Sequence, residues 1–325
     1  MISGLVSRVV QAAVVAILVA AVAFFVLQAA PGDPLSALVE NPSVSPALVA
    51  AERARLGYDR PAAVQFLSYV SAAAGGDLGY SASLGMPVSR VIGAALPHTL
   101  LLMGTAILVS FAVGIALGVA QAARAGTVFD RAASAVSLFL HSLPEFWLAL
   151  VLLIVLSGRL HLFPGGGLET LAVAHSSGWH WFLDRLHHLA LPALTLVLLT
   201  TAGVARFQRA ALLEVLPRDF VRTAVAKGLS RRRVVLRHAW RNALLPIVTL
   251  LGLALPALVG GAVFVEQVFS WPGMGRLVVT SIERRDYALL TGCLLVGGVL
   301  VAAGSLLADA LALAVDPRQR RANRD

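Results

Sequence analysis

The chain has 325 residues, 58% hydrophobic and 13% charged, against roughly 45–50% and 25% in soluble globular proteins, which excludes an ordinary water-soluble domain. The formal charge of +9 reads as attraction to anionic headgroups rather than to a nucleic acid, because the arginines gather between apolar stretches. The single cysteine, Cys293, lies inside the last apolar stretch and excludes an intrachain disulfide.

Six stretches reach the about 20 residues that a hydrocarbon layer of about 30 Å requires. The expected fold is therefore all-α: a polytopic membrane protein with about six transmembrane helices, at 9–30, 99–121, 132–157, 188–205, 243–268 and 288–315. The first apolar run, Val9 to Leu27, exceeds the roughly 7–15 residues of a cleavable signal core, and Gln28-Ala29-Ala30 offers no Ala-x-Ala site, so it reads as a retained helix. The expected organisation is an N-terminal transmembrane helix at 1–30, an insert outside the membrane at 31–96, a five-helix core at 97–315 that includes a loop at 206–241, and a tail at 316–325.

The insert opens on "PGDP" at 31–34, a turn signal. Ser45 is the expected N-cap of its helical middle and Gly75-Gly76 the stop, which predicts two short helices on or near the outer membrane surface. In the second span, Gly114 and Gly118 form a G-x-x-x-G pair whose simplest use is close helix approach. Glu145 follows Pro144 in the third span, Glu266 lies near the outer end of the fifth, and Asp309 lies in the sixth. Charge inside a membrane is costly and often faces a cavity. Glu145 and Glu266 are candidates for lining a path through the membrane, with hydrogen-bonded helix packing as the alternative; Asp309 reads as structural.

The outer loop 158–187 contains "FPGGG" and is expected to be irregular. With its edge it holds His161, His175, His180, His187 and His188. Imidazoles suit nickel, copper or zinc, but the spacing follows no defined metal motif, and these histidines read as polar surface with no metal site. If the N-terminus is inside, the segments 1–8, 122–133, 206–241 and 315–325 carry 17 of the 26 basic residues in 67 positions and the outer segments carry nine. Retention of positive loops in the cytoplasm then puts both termini there.

The loop 206–241 contains "DFVRTAVAKGLSRRRVV" from Asp219. Asp219 is placed to cap a short helix from Phe220 to Lys227, and Gly228 to end it in the left-handed conformation. Ser230 is placed to cap a second helix. That helix starts on Arg231, Arg232 and Arg233, where the helix dipole favours anions, so a compensating group is expected outside it. A helix, a turn and a basic helix could suggest DNA binding, but both ends are tethered to membrane spans. The arginines serve either to hold the loop inside or to dock a soluble partner, with Ala224 and Ala226 beside Gly228 permitting close approach.

"RTAVAKG", Arg222 to Gly228, resembles the EAA loop of binding-protein-dependent ABC importer permeases, with Arg222, Thr223 and Ala224 in the place of Glu-Ala-Ala and Gly228 in that of the motif's glycine. "APGDP", "GDLGYS" at 76–81, "LPHTLLL" at 96–102, "FSWPGMGRL" at 269–277, "RRDY" at 284–287 and "DPRQR" at 316–320 resemble, in the same order, the B-type permease of dipeptide, oligopeptide and nickel uptake systems. Arg222 departs from the motif's glutamate, and Arg241 stands where many such loops have proline. The resemblance implies a type I importer permease in a bacterial cytoplasmic (inner) membrane, paired as a heterodimer with a second permease. It further implies two cytoplasmic ATPases, an extracytoplasmic solute-binding protein, a peptide or nickel substrate, and a coupling loop comprising Asp219, Phe220, Arg222, Thr223, Ala224, Lys227, Gly228 and Arg231 to Arg233.

The chain itself is expected to hold no catalytic residues and no cofactor. Its one lysine, Lys227, lacks the G-x-x-x-x-G-K-[ST] frame that wraps phosphates, so ATP and magnesium would be bound by the partner subunits. Neither H-E-x-x-H nor G-x-S-x-G occurs, which argues against a membrane protease or serine hydrolase. A secondary transporter or channel for a small solute is the rival class, and the EAA-like loop is the feature that opposes it.

Overall fold

The computed structural model describes residues 45–170 other than 56 and 58, residues 178–254 and 262–315, and helical positions at 14, 15, 17–22, 24–26 and 28. The chain divides into two compact units, Met1–His98 with Pro272–Ala303, and Thr99–Trp271 with Gly304–Asp325.

The first unit contains α1 (Pro46–Arg55) and α2 (Ala62–Ala74). Pro46 opens α1, where its missing N–H is not needed, and Ser45 Oγ accepts from the Leu48 amide at 3.2 Å. The expected cap and the two expected short helices are both present. Gly75 closes α2 and Gly76 turns the chain at φ +86°. A two-residue hairpin, β1 (Tyr80–Ser81) against β2 (Met86–Pro87), pairs antiparallel with Ser81 opposite Met86, and leads into α3 (Val88–Ala123). The unit is completed by α12 (Met274–Glu283) and by α13 (Tyr287–Val315) up to residue 303.

Val88, Ile92, Met274, Leu289 and Cys293 form the core of this unit. Gly292 admits Val88 so closely that a Cβ there would lie 2.6 Å from its Cγ1. Asp286 fastens the hairpin to the start of α13. It accepts from Ser81 Oγ at 2.5 Å, from the Ser83 amide at 3.0 Å and hydroxyl at 2.7 Å, and caps α13 through the Leu289 amide at 3.1 Å.

The second unit runs from Thr99 in α3 through α4 (Val128–His141), α5 (Glu145–Leu152) and a π-helical turn at Leu153–Arg159, to α6 (Trp179–Val215). After α6 come α7 (Asp219–Ala226), α8 (Arg231–Arg233), a second π-helical turn at Val234–Ala239, α9 (Trp240–Ala243), α10 (Leu245–Ala254) and α11 (Val263–Val268). Gly114 and Gly118 bring α3 against α6 as expected: Cβ atoms there would lie 2.7 Å from Val204 Cβ and 2.6 Å from the Ala205 carbonyl oxygen. Arg209 of α6 reaches across to α4 with a two-pronged bond to Asp130, at 2.6 and 2.8 Å. The largest core of the unit gathers Leu102, Leu191, Leu196, Val265, Phe269 and Trp271. The glycine loop packs beside it, where Gly167 donates to the Phe269 carbonyl at 2.9 Å.

Among the described residues, three helices are long and apolar enough to cross a membrane: Val88–Ala123, Trp179–Val215 and Tyr287–Ala308. They contain the expected second and fourth spans and most of the sixth. The expected third span, 132–157, is not one rod. Val128–His141 and Glu145–Arg159 meet at a bend of 103°, because Pro144 lacks an amide to donate and disfavours helical geometry in the residue before it. The expected fourth span is also longer than 188–205. At 37 residues, α6 takes in the polar segment containing Asp184, Arg185 and His187. Of the expected first span, 9–30, the positions 14, 15, 17–22, 24–26 and 28 are described and helical, whereas 255–261 of the fifth lie outside the described residues; α10 and α11 flank the latter.

Candidate functional site

The candidate loop begins where Pro217 ends α6, since a proline cannot continue the backbone ladder. Arg218, not Asp219, is the N-cap of α7; its backbone is extended and makes no side-chain cap. Asp219 instead occupies the first helical turn, where the dipole favours its charge, with its carboxylate 3.8 Å from Arg222. The expected capping role is thereby corrected: the residue one step earlier leaves the helix, and the carboxylate points to solvent.

Two sides of α7 differ sharply. Val221 and Ala224 are buried in a cluster with Ala122, Leu212, Val215, Val234, Val235, Ala239 and Ala243. This fixes the helix to the ends of α3 and α6. Phe220, Arg222, Thr223, Val225, Ala226 and Lys227 are exposed. Ala224 is thus no part of a docking face, because it is spent on the chain's own core; the outward face offers Phe220 and Val225 between positive charges.

Gly228 ends α7 at φ +76°, as expected. Its amide donates to the Val225 carbonyl at 2.9 Å and the Leu229 amide to that of Ala224 at 3.4 Å, the paired bonds of a Schellman cap. Ser230 takes the N-cap position of α8 without a side-chain bond. Part of the compensation expected for the three arginines is found at Arg231, which donates to the Ala123 carbonyl at 2.8 Å. There it meets the negative end of α3's dipole. Arg232 and Arg233 stay exposed.

The two candidate membrane acids fare differently. Glu266 is fully buried and accepts from Thr99 Oγ1 at 2.6 Å, which is the packing alternative. Glu145 opens α5 at the break, and its Oε1 is buried without a hydrogen-bond partner among the described residues. Of Asp309 only the helical position is described. The histidine group is also dispersed. His180, His187 and His188 lie on α6, His175 falls outside the described residues, and His161 turns the chain at φ +51°. His187 bonds the Leu162 carbonyl at 2.8 Å, and His188 that of Asp184 at 2.9 Å.

Sequence reasoning passed over Asp130, Arg209 and Asp286. For Asp130 a local signal exists, since Thr127 accepts from the Asp130 amide as N-cap of α4. Asp286 and Ser81 are 205 positions apart, and no local pattern links them.

Residues 112–321 match the family model described as binding-protein-dependent transport system inner membrane component, and residues 1–103 match that of the N-terminal part of such membrane components. The chain is 41% identical over 296 residues to the oligopeptide transport system permease protein AppB of Bacillus subtilis, covering 91% of this chain and 92% of that protein. It is 36% identical over 306 residues to the dipeptide transport system permease protein DppB of Escherichia coli K12, covering 89% and 90%. To the di/tripeptide transport system permease protein DppB of Pseudomonas aeruginosa it is 38% identical over 310 residues, covering 91% and 92%.

Proposed function

Because the chain belongs to the family of binding-protein-dependent transport system inner membrane components, we propose that it is a permease subunit of an ATP-driven ABC importer for di- or oligopeptides delivered by an extracytoplasmic solute-binding protein. It is a multi-pass membrane component and not itself a catalyst. Its partners are a second permease and two cytoplasmic ATPases, which bind ATP and magnesium, and both its termini face the cytoplasm. The peptide class is supported by the named transport systems of relatives that match along about nine-tenths of their own length.

One observation carries the mechanism: α7 is anchored on one side and free on the other. Its free face, with Phe220 and Val225 among Arg222 and Lys227, suits an apolar groove with an acidic rim. Its anchored face joins the ends of α3 and α6 through Val221 and Ala224. The Schellman cap and the bond from Arg231 to Ala123 stiffen that junction. A displacement of α7 by a closing ATPase pair is therefore delivered to two long membrane helices, and alternating access follows as these helices move. Glu266 is assigned to packing, and the outer histidines are assigned no metal.

The test is reconstitution in lipid vesicles with the second permease, the ATPases and the loaded binding protein. The reading expects dipeptide accumulation that requires ATP and the binding protein. Accumulation driven by an ion gradient without ATPases would support the secondary-transporter class instead.

A further inference from the structure

Among the described residues, Glu145 Oε1 is the one carboxylate oxygen that is buried and meets no hydrogen-bond partner. Other sequestered acids are answered within the chain: Asp130 by Arg209, Glu266 by Thr99, and Asp286 by Ser81 and Ser83. A carboxyl oxygen withheld from water, as Oε1 of the half-buried Glu145 is, is costly unless something answers it. A carboxyl oxygen accepts, so the complement to Glu145 Oε1 is a cation or a neutral donor, not another anion.

Its place in the fold narrows the complement further. Glu145 follows Pro144 at the 103° break between two apolar helices. Interrupted helices within a membrane are stable only where protein or a water-filled cavity satisfies the backbone, and they are where transporters hold substrate groups. The next residue, Phe146, pairs with Phe264 of α11 at a ring distance of 6.3 Å, which fixes the turn that carries the acid. A peptide, whatever its side chains, brings one cation of its own: its free amino terminus.

We propose that Glu145 receives the free α-ammonium of the peptide as it crosses the membrane. The assignment rests on the peptide reading above. It separates Glu145 from Glu266, whose carboxylate is occupied, and it makes a free amino terminus something the permease selects for itself. No covalent step is involved; a charge-assisted hydrogen bond forms on entry and breaks on release.

The experiment uses the assembled complex in lipid vesicles and compares wild type, Glu145→Gln and Glu145→Asp. Uptake of a dipeptide and of its N-acetylated form is measured along with ATP hydrolysis stimulated by the binding protein. Loss of one charge-assisted hydrogen bond is expected to lower the free-amine to N-acetyl uptake ratio about tenfold in Glu145→Gln. Stimulated ATP hydrolysis is expected to persist, and Glu145→Asp to restore much of the ratio. If Gln lowers uptake of both peptides equally, or if neither variant shifts the ratio, the carboxylate is answered by a neighbouring subunit or is dispensable, and the proposal fails. Should Gln fail to assemble, Glu145→Ala decides in its place: a lowered ratio supports the proposal, and a wild-type ratio in an assembled complex overturns it. A wild-type complex that moves neither peptide would instead overturn the peptide reading.

Discussion

An alanine at Gly118 tests how tightly α3 is seated on α6 near α7. The added Cβ would stand 2.6 Å from the Ala205 carbonyl oxygen, 2.7 Å from Gln208 Cβ and 3.0 Å from the Arg209 amide. Two of these three atoms are backbone, so α6 itself has to move. Arg209 is also held by Asp130, which opposes the movement. Overpacking of this kind costs about 1–3 kcal/mol, offset by the roughly 0.5–1 kcal/mol gained when alanine replaces glycine inside a helix. The net expectation is a loss of about 1–2 kcal/mol. At Gly104, in the same helix, a Cβ would meet nothing within 4 Å, so Gly104→Ala is expected to stabilise by about 0.5–1 kcal/mol. Thermal denaturation of the detergent-purified complex, followed by loss of the monodisperse chromatographic peak, reads both variants on one scale. If the two shift alike, or Gly104→Ala is the worse, the close approach is not what makes Gly118 necessary.

Asp286→Ala leaves the Ser81 and Ser83 donors of a sequestered site without their acceptor, and should cost about 3 kcal/mol or more at 1–3 kcal/mol per orphaned group; proteolysis within 76–87 should rise, with Asn intermediate. Arg231→Gln should loosen the loop, seen as faster cleavage near Leu229, because it removes the bond to Ala123. Changing Arg232 and Arg233 to Gln should leave the fold intact and make ATPase attachment weaker and more salt-sensitive, since an exposed charge contact is screened within about 8–10 Å at physiological salt; unchanged salt dependence would free these arginines from docking. A topology reporter fused after Arg232 should be cytoplasmic and one fused near Asp59 outside; exchanged signals would overturn the proposed orientation.

What was legible in the sequence is what local chemistry decides. Ser45 before Pro46, Gly228 after a short helix and the Gly114–Gly118 pair were readable because a cap, a positive φ and a missing side chain each act within one or two turns. The break after His141 was half visible. Pro144 marked it, but apolar residues continue on both sides, and hydropathy does not register a change of direction. The length of α6 was hidden for the converse reason, as its first turns carry Asp184, Arg185 and His187 and read as loop. Those polar groups find partners nearby, such as Thr170 for Asp184 and Glu169 for Arg185, and the helix persists. In the loop around α7 the short helix and its glycine stop were legible and its two faces were not. Eight residues with only Val221 and Ala224 turned inward carry too little periodicity to reveal which alanine is buried.

The most direct measurement of the coupling role is ATPase retention and ATP-driven uptake by Gly228→Val at wild-type membrane levels. Gly228 sits at φ +76°, and a Cβ there would meet nothing within 4 Å, so the substitution is felt first through the backbone. A left-handed conformation costs an ordinary L-residue about 1–2 kcal/mol, and a β-branched one at least that, comparable to the cap that holds the end of α7. The account predicts normal insertion, since the long spans depend on their own apolar length, together with ATPase retention and peptide uptake reduced severalfold. Wild-type retention and uptake in Gly228→Val would contradict it, leaving the loop as a positive anchor and no more.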